Sequence, residues 1–163
     1  MLVDRPTNAH VSANTHISGH PTMPDLKLLA LDNEDLDVIS ATTQDAVVRV
    51  GDMGFAKADN RFALLMNRFA WEEGGKTRQR KRAALHFDRV NDVKVAGINT
   101  EAVDGVLELL TIRFTPAAAE APEGTVELAF AGGGTIRLSV ECLEARLQDL
   151  GAAWAAKATP AHA

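Results

Sequence analysis

The stretch TVELAFAGGGTIRLSVECLEARLQDLG, residues 125 to 151, limits what this chain can fold into more than any other. Val126, Leu128 and Phe130 alternate with Thr125, Glu127 and Ala129. Ile136, Leu138 and Val140 alternate with Thr135, Arg137 and Ser139. Period-two alternation buries one face of a strand and leaves the other wet. The glycines between the two runs predict a hairpin turn. Opposed residues of a hairpin share a face, so burial allows only registers that match apolar with apolar. A loop at residues 132–134 meets that condition. It sets Phe130 against Ile136, Leu128 against Leu138 and Val126 against Val140, with Gly134 supplying a positive φ at the loop's end. Beyond the hairpin, Leu143, Leu147 and Leu150 stand at i, i+4 and i+7. That spacing predicts a closing amphipathic helix.

The remaining strands follow from the same period. LKLLALD at 26–32 reads as a strand, and a short helix follows it. Asp32 caps that helix, Asp35 adds a favourable charge in its first turn, and Leu31 and Leu36 stand at staple positions. Residues 46–56 form a strand bent at Gly51 and Gly54. RFALLMNRFAW at 61–71 is apolar on both faces, as a central strand is. Ala83, Leu85 and Phe87 face inward, His86 and Asp88 face outward, and Asn91 and Asp92 mark a bulge or turn before Val93. Residues 105–114 make another strand and 115–124 a Pro/Ala loop. The expected fold is α+β. It has about seven mainly antiparallel strands in a curled, barrel-like sheet, one short early helix and one C-terminal amphipathic helix. That element order is similar to a pleckstrin-homology-like barrel.

Three segments are expected. Residues 1–24 are rich in Thr, Asn, His, Pro and Ser without an apolar period and read as a disordered tail, residues 25–151 as one domain, and 152–163 as a second tail,. Met23 can serve as a start, and residues 1–22 are expected to add nothing to folding. The tail's His10, His16 and His20 lack the spacing and companions of a metal site.

The formal net charge is −5, which argues against a global footprint for nucleic acid or anionic membrane,. The chain has one cysteine, Cys142, so it can form no internal disulfide, which suits a reducing cytoplasm,. No apolar run approaches the roughly 18–20 residues of a membrane span.

The segments LKLLALDNEDLDVISATTQDAVVRVGD, NRFALLMNRFAWE, RKRAALHF and AGGGTIRLSVECLEARLQDLG together resemble an uncharacterised bacterial family, domain-of-unknown-function family 2948. The resemblance covers about residues 26 to 161. It implies a small cytoplasmic bacterial protein and transfers neither an activity nor a set of catalytic residues.

Residues carrying chemistry are few. Lys76, Arg78, Arg80, Lys81 and Arg82 cluster in a charged stretch, 72–82, that reads as a flexible loop opened by Gly74 and Gly75. These five cations could bind phosphates or another anionic partner, or simply offset nearby acids. No aromatic residues interleave with them, so stacking on single strands is poorly supplied. His86 and Asp88 form an outward i, i+2 pair that lacks a marked nucleophile. Cys142 falls in the first turn of the predicted last helix, where it reads as a packed thiol rather than a reactive one. Gly132, Gly133 and Gly134 precede a strand, which is hairpin chemistry and not a phosphate loop.

No zinc spacing, nucleotide fingerprint or serine elbow is present, and no cofactor or metal is expected. The sequence leans away from an enzyme. It reads as a cytoplasmic binding or adaptor module for another protein, with RNA met through residues 76–82 as the alternative.

Overall fold

In the computed structural model, residues 25–71 and 78–151 are described; the side chains of Trp71 and Arg78 are not. The readings of both tails, of Met23 and of Lys76 fall outside these residues.

The chain begins with β1 (Lys27–Ala30) and α1 (Asn33–Thr42). Asp32 caps α1 as its sequence position predicts, its Oδ1 accepting the Asp35 N–H at 2.9 Å. Leu36 and Ile39 are fully buried, whereas Leu31 is half exposed. The bent strand is two strands, β2 (Val47–Arg49) and β3 (Met53–Ala56), split by a 3-10 turn at Val50–Asp52. A Cβ on Gly51 would stand 3.0 Å from the Val103 carbonyl oxygen, so a side chain there would press on the Val103 backbone. Then come β4 (Arg61–Trp71), β5 (Arg78–Phe87), β6 (Val90–Ala96), β7 (Val106–Pro116), β8 (Gly124–Phe130), β9 (Thr135–Val140) and β10 (Ala145–Asp149).

All ten strands join one antiparallel sheet in the order β1-β10-β5-β4-β2-β7-β8-β9-β6, with β3 paired to β4. The first residues of β7 pair with β2 and the rest with β8, through a register shift between Leu109 and Thr111. Leu64, Leu85 and Leu147 from one half share a single buried cluster with Leu128, Ile136 and Leu138 from the other. The sheet therefore folds back over its own core, and α1 packs against β7 and β1. The two end strands, β1 and β6, do not pair with each other.

This corrects the expected fold. The sheet has ten strands rather than about seven, it is not closed into a barrel, and the described residues contain no C-terminal helix. The likeness to a pleckstrin-homology-like order rested on that helix and falls with it. Leu143 and Leu147 are four apart, and a four-residue step returns to the same face in a strand as well as in a helix. Residues 145–149 alternate buried and exposed, with Ala145, Leu147 and Asp149 inward. Both neighbouring strands, β1 and β5, offer hydrogen-bonding edges to this segment, and pairing overrides its helix-forming composition,.

The terminal hairpin keeps the predicted parity in a different register. Leu128 opposes Ile136, and Val126 opposes Leu138. The loop is 131–133: Phe130 N–H donates to the Gly134 carbonyl at 2.9 Å, and Gly133 N–H to the Phe130 carbonyl. Positive φ falls on Gly132 (+89°) and Gly133 (+97°), not on Gly134. Gly134 is needed for space, because a Cβ there would lie 2.6 Å from Ile98 Cγ1. The bulge expected at Asn91 and Asp92 is present between Val90 and Asp92.

Candidate functional site: the outer face of the β3–β4–β5–β10 sheet

β4 and β5 pair from Phe62↔Phe87 to Trp71↔Arg78, so the two faces can be read rung by rung. The inner face carries Phe62, Leu64, Met66, Ala83, Leu85 and Phe87, all buried. It also carries Arg68, nearly as buried as its apolar neighbours. Arg68 closes a bidentate pair with Asp149 of β10, Nε to Oδ1 at 2.8 Å and Nη2 to Oδ2 at 2.8 Å. Asp149 Oδ2 accepts the Leu26 N–H as well, at 2.9 Å. One carboxylate thus fastens β4, β10 and the entry to β1, with charge-assisted bonds in a dry setting.

The outer face is built differently. One rung crosses four strands as Gly54, Ala63, His86 and Arg146. The next sets Leu65 beside Ala84 and Gln148. Three small residues, Gly54, Ala63 and Ala84, leave a hollow of about 620 Å³, bordered by Asp52, Phe55, Arg61, Leu65 and His86. A Cβ added to Gly54 would meet nothing within 4 Å. β3 forms one side of this groove and, among the described residues, pairs with β4 alone.

Charge gathers around it in pairs. Arg61 Nε donates to Asp88 Oδ1 at 2.7 Å. The opposite Asp88 oxygen lies 3.5 Å from His86 Nδ1. His86 is held below its ordinary pKa, chiefly by burial; Asp88 and Glu144 oppose that, while Arg61 and Arg146 reinforce it. The same Asp88 contact raises the Arg61 pKa. The imidazole is therefore neutral near pH 7. The expected outward His86–Asp88 pair exists, with Arg61 as its third member.

The predicted basic cluster is not one flexible loop. Arg78, Arg80, Lys81 and Arg82 belong to β5, opposite Trp71, Phe69, Arg68 and Asn67. Only residues 72–77, which include Lys76, lie between the two strands. Alternation then splits the cations. Arg80 and Arg82 lie on the outer face: Arg80 stacks over the Phe69 ring at 5.3 Å, and Arg82 donates to Asn67 Oδ1 at 3.3 Å and Asp52 Oδ2 at 3.4 Å. Lys81 lies on the other face, its Nζ 3.8 Å from Asp25. Cys142 is half-buried in the connection between β9 and β10, so the helix N-terminus expected to host it does not exist. No group of three or more His, Cys, Asp or Glu suited to a metal ion occurs among the described residues.

Two features escaped sequence reading. The Arg68–Asp149 pair carried a signal: Arg68 has the parity of Phe62, Leu64 and Met66, and a charge on a buried face demands a partner. Asp149 was hidden by the helical reading of its segment. The groove gave only the glycine at position 54, because alanines in two strands announce nothing until the register is known.

The family model described as "Protein of unknown function (DUF2948)" matches residues 26–162, most of the length of the chain. The chain belongs to the DUF2948 family. The segment containing both the groove and the buried ion pair lies within the DUF2948 match. No curated protein and no solved structure matches the chain. No helix among the described residues is long and apolar enough to cross a membrane.

Proposed function

We propose that this DUF2948 protein is a non-enzymatic cytoplasmic binding module that holds an extended segment of another protein in the groove beside β3. The observation that carries this reading is the groove itself, a hollow floored by Gly54, Ala63 and Ala84 along a strand that pairs on one side. An extended segment can lie across this hollow and set small side chains into it. Asp52, Arg61 and His86 are the titratable residues of the lining, with no hydroxyl, thiol or amine among them. That lining supports recognition better than covalent or acid–base chemistry.

Site-specific photocrosslinking tests the reading. A photoreactive residue at position 54 should yield one discrete protein adduct in cells, absent when the same group replaces exposed Arg113 on β7. Equal yields of the same adducts at both positions would overturn it.

The second reading, a nucleic-acid accessory protein, is favoured by Arg80 and Arg82 standing two residues apart on the outer face. It requires affinity for RNA that falls steeply with salt and is lost in the Arg80→Glu, Arg82→Glu double variant. No binding to RNA at low salt would remove it.

A further inference from the structure

The charges near the groove are paired, yet they are not presented equally. In the Arg61–Asp88 pair the arginine side chain is 49% exposed and the aspartate 17%. In the Arg146–Glu144 pair the values are 53% and 24%, and Arg89 repeats the pattern on the same Glu144. At the other end, Arg49 is about half exposed over a largely covered Asp52. The carboxylate is the deeper member in these four pairs; in the Arg49–Asp104 pair it is the more exposed one. At Arg61, Arg89 and Arg146 an approaching partner meets the guanidinium before its carboxylate, although the chain as a whole is acidic. Asp59 and Asp104 are exposed acids among them: Asp59 acts on Arg61, and Asp104 lies within 3.1 Å of Arg49.

These arginines keep donors to spare. A guanidinium has five N–H groups, and Asp88 takes the Nε–H of Arg61,. Arg146 touches Glu144 only at 3.8 Å. It projects from β10, two strands or roughly 10 Å from the floor at Ala63. A second carboxylate can therefore join each arginine without displacing the first, and Arg binds carboxylates bidentately.

We infer that the segment held in the groove is acidic: an extended peptide whose small apolar side chains rest on Gly54, Ala63 and Ala84 and whose Asp or Glu side chains engage Arg61 and Arg146. This deepens the binding-module reading and rests on it. The apolar floor favours a peptide over a nucleic acid, because a sugar–phosphate backbone has no use for a hollow floored by Gly54, Ala63 and Ala84 and walled by Leu65.

Panning a library of randomised twelve-residue peptides on the full chain tests the inference, with Gly54→Trp as the counter-selection target. Peptides that bind the wild type and not Gly54→Trp should be rich in Asp and Glu. Their affinity should drop at least tenfold in the Arg61→Gln, Arg146→Gln double variant, and by a similar factor from 50 to 300 mM salt. Thermal melts verify that both variants fold. Should either fail, Gly54→Leu and Arg146→Gln alone serve in their place. Groove-dependent peptides that are neutral or basic would overturn this inference and leave the binding module standing. A library that yields no groove-dependent peptide would remove both. Displacement of the selected peptide by a twelve-nucleotide single-stranded RNA, with the RNA itself sensitive to Gly54→Trp, would overturn it in favour of nucleic acid.

Discussion

The two faces of β4 and β5 come from the same residues in alternation, and they are built to opposite rules. The inner face fills space: Phe62, Leu64, Met66, Leu85 and Phe87 are buried, and its one arginine is locked to Asp149. The outer face leaves space: Gly54, Ala63 and Ala84 hold the floor down, and the arginines at its border are about half exposed. One pleated pair of strands can thus supply stability on one side and recognition on the other. Substitutions should separate along that line.

The largest effect belongs to the buried pair. Asp149→Ala leaves Arg68 charged and unpaired in the core and frees the Leu26 N–H, so it should cost about 3–5 kcal/mol in urea unfolding. Adding Arg68→Met should recover part of that loss, since the stranded charge is then gone. If Asp149→Ala unfolds at the wild-type midpoint, the inner face is not what holds these strands. Leu85→Ala should follow, at about 2–5 kcal/mol, because it opens a cavity in a fully buried site,.

Outer-face changes should be far milder. Arg61→Gln removes an exposed ion pair worth no more than about 1 kcal/mol, so a larger loss of stability would blur the distinction between the faces. The smallest effect concerns His86. Its folded pKa lies below the ordinary value of 6.5, so the unfolded state binds the proton more readily,. The stability this contributes is complete above pH 6.5 and declines as pH falls through the folded pKa. Carboxylates titrate lower still, so unfolding curves from pH 7.5 to 5.5 should slope more in the wild type than in His86→Asn. Identical slopes would show that burial does not govern this imidazole.

The same contrast explains what could be read in advance. Alternation in 125–140 and in 61–71 is a local signal, and it located β8, β9 and β4 from sequence. The loop slipped by one residue because Gly134 answers to Ile98, a residue far away in sequence. Strand β10 was invisible because Leu143 and Leu147 satisfy both periods, and its identity depends on edges offered by β1 and β5. The basic run was read as a loop on composition alone; pairing with β4 turned most of it into a strand and sent Lys81 to the face opposite Arg80 and Arg82. A groove defined by missing side chains on three strands leaves no local trace.

The most direct test of the division between faces is Gly54→Trp, measured for stability and for binding in the same preparation. An added Cβ at position 54 enters open space, so the variant should unfold within about 0.5 kcal/mol of the wild type,. The same variant should fail to bind the acidic peptide that the wild type retains. Wild-type affinity in a stable Gly54→Trp protein would contradict the account.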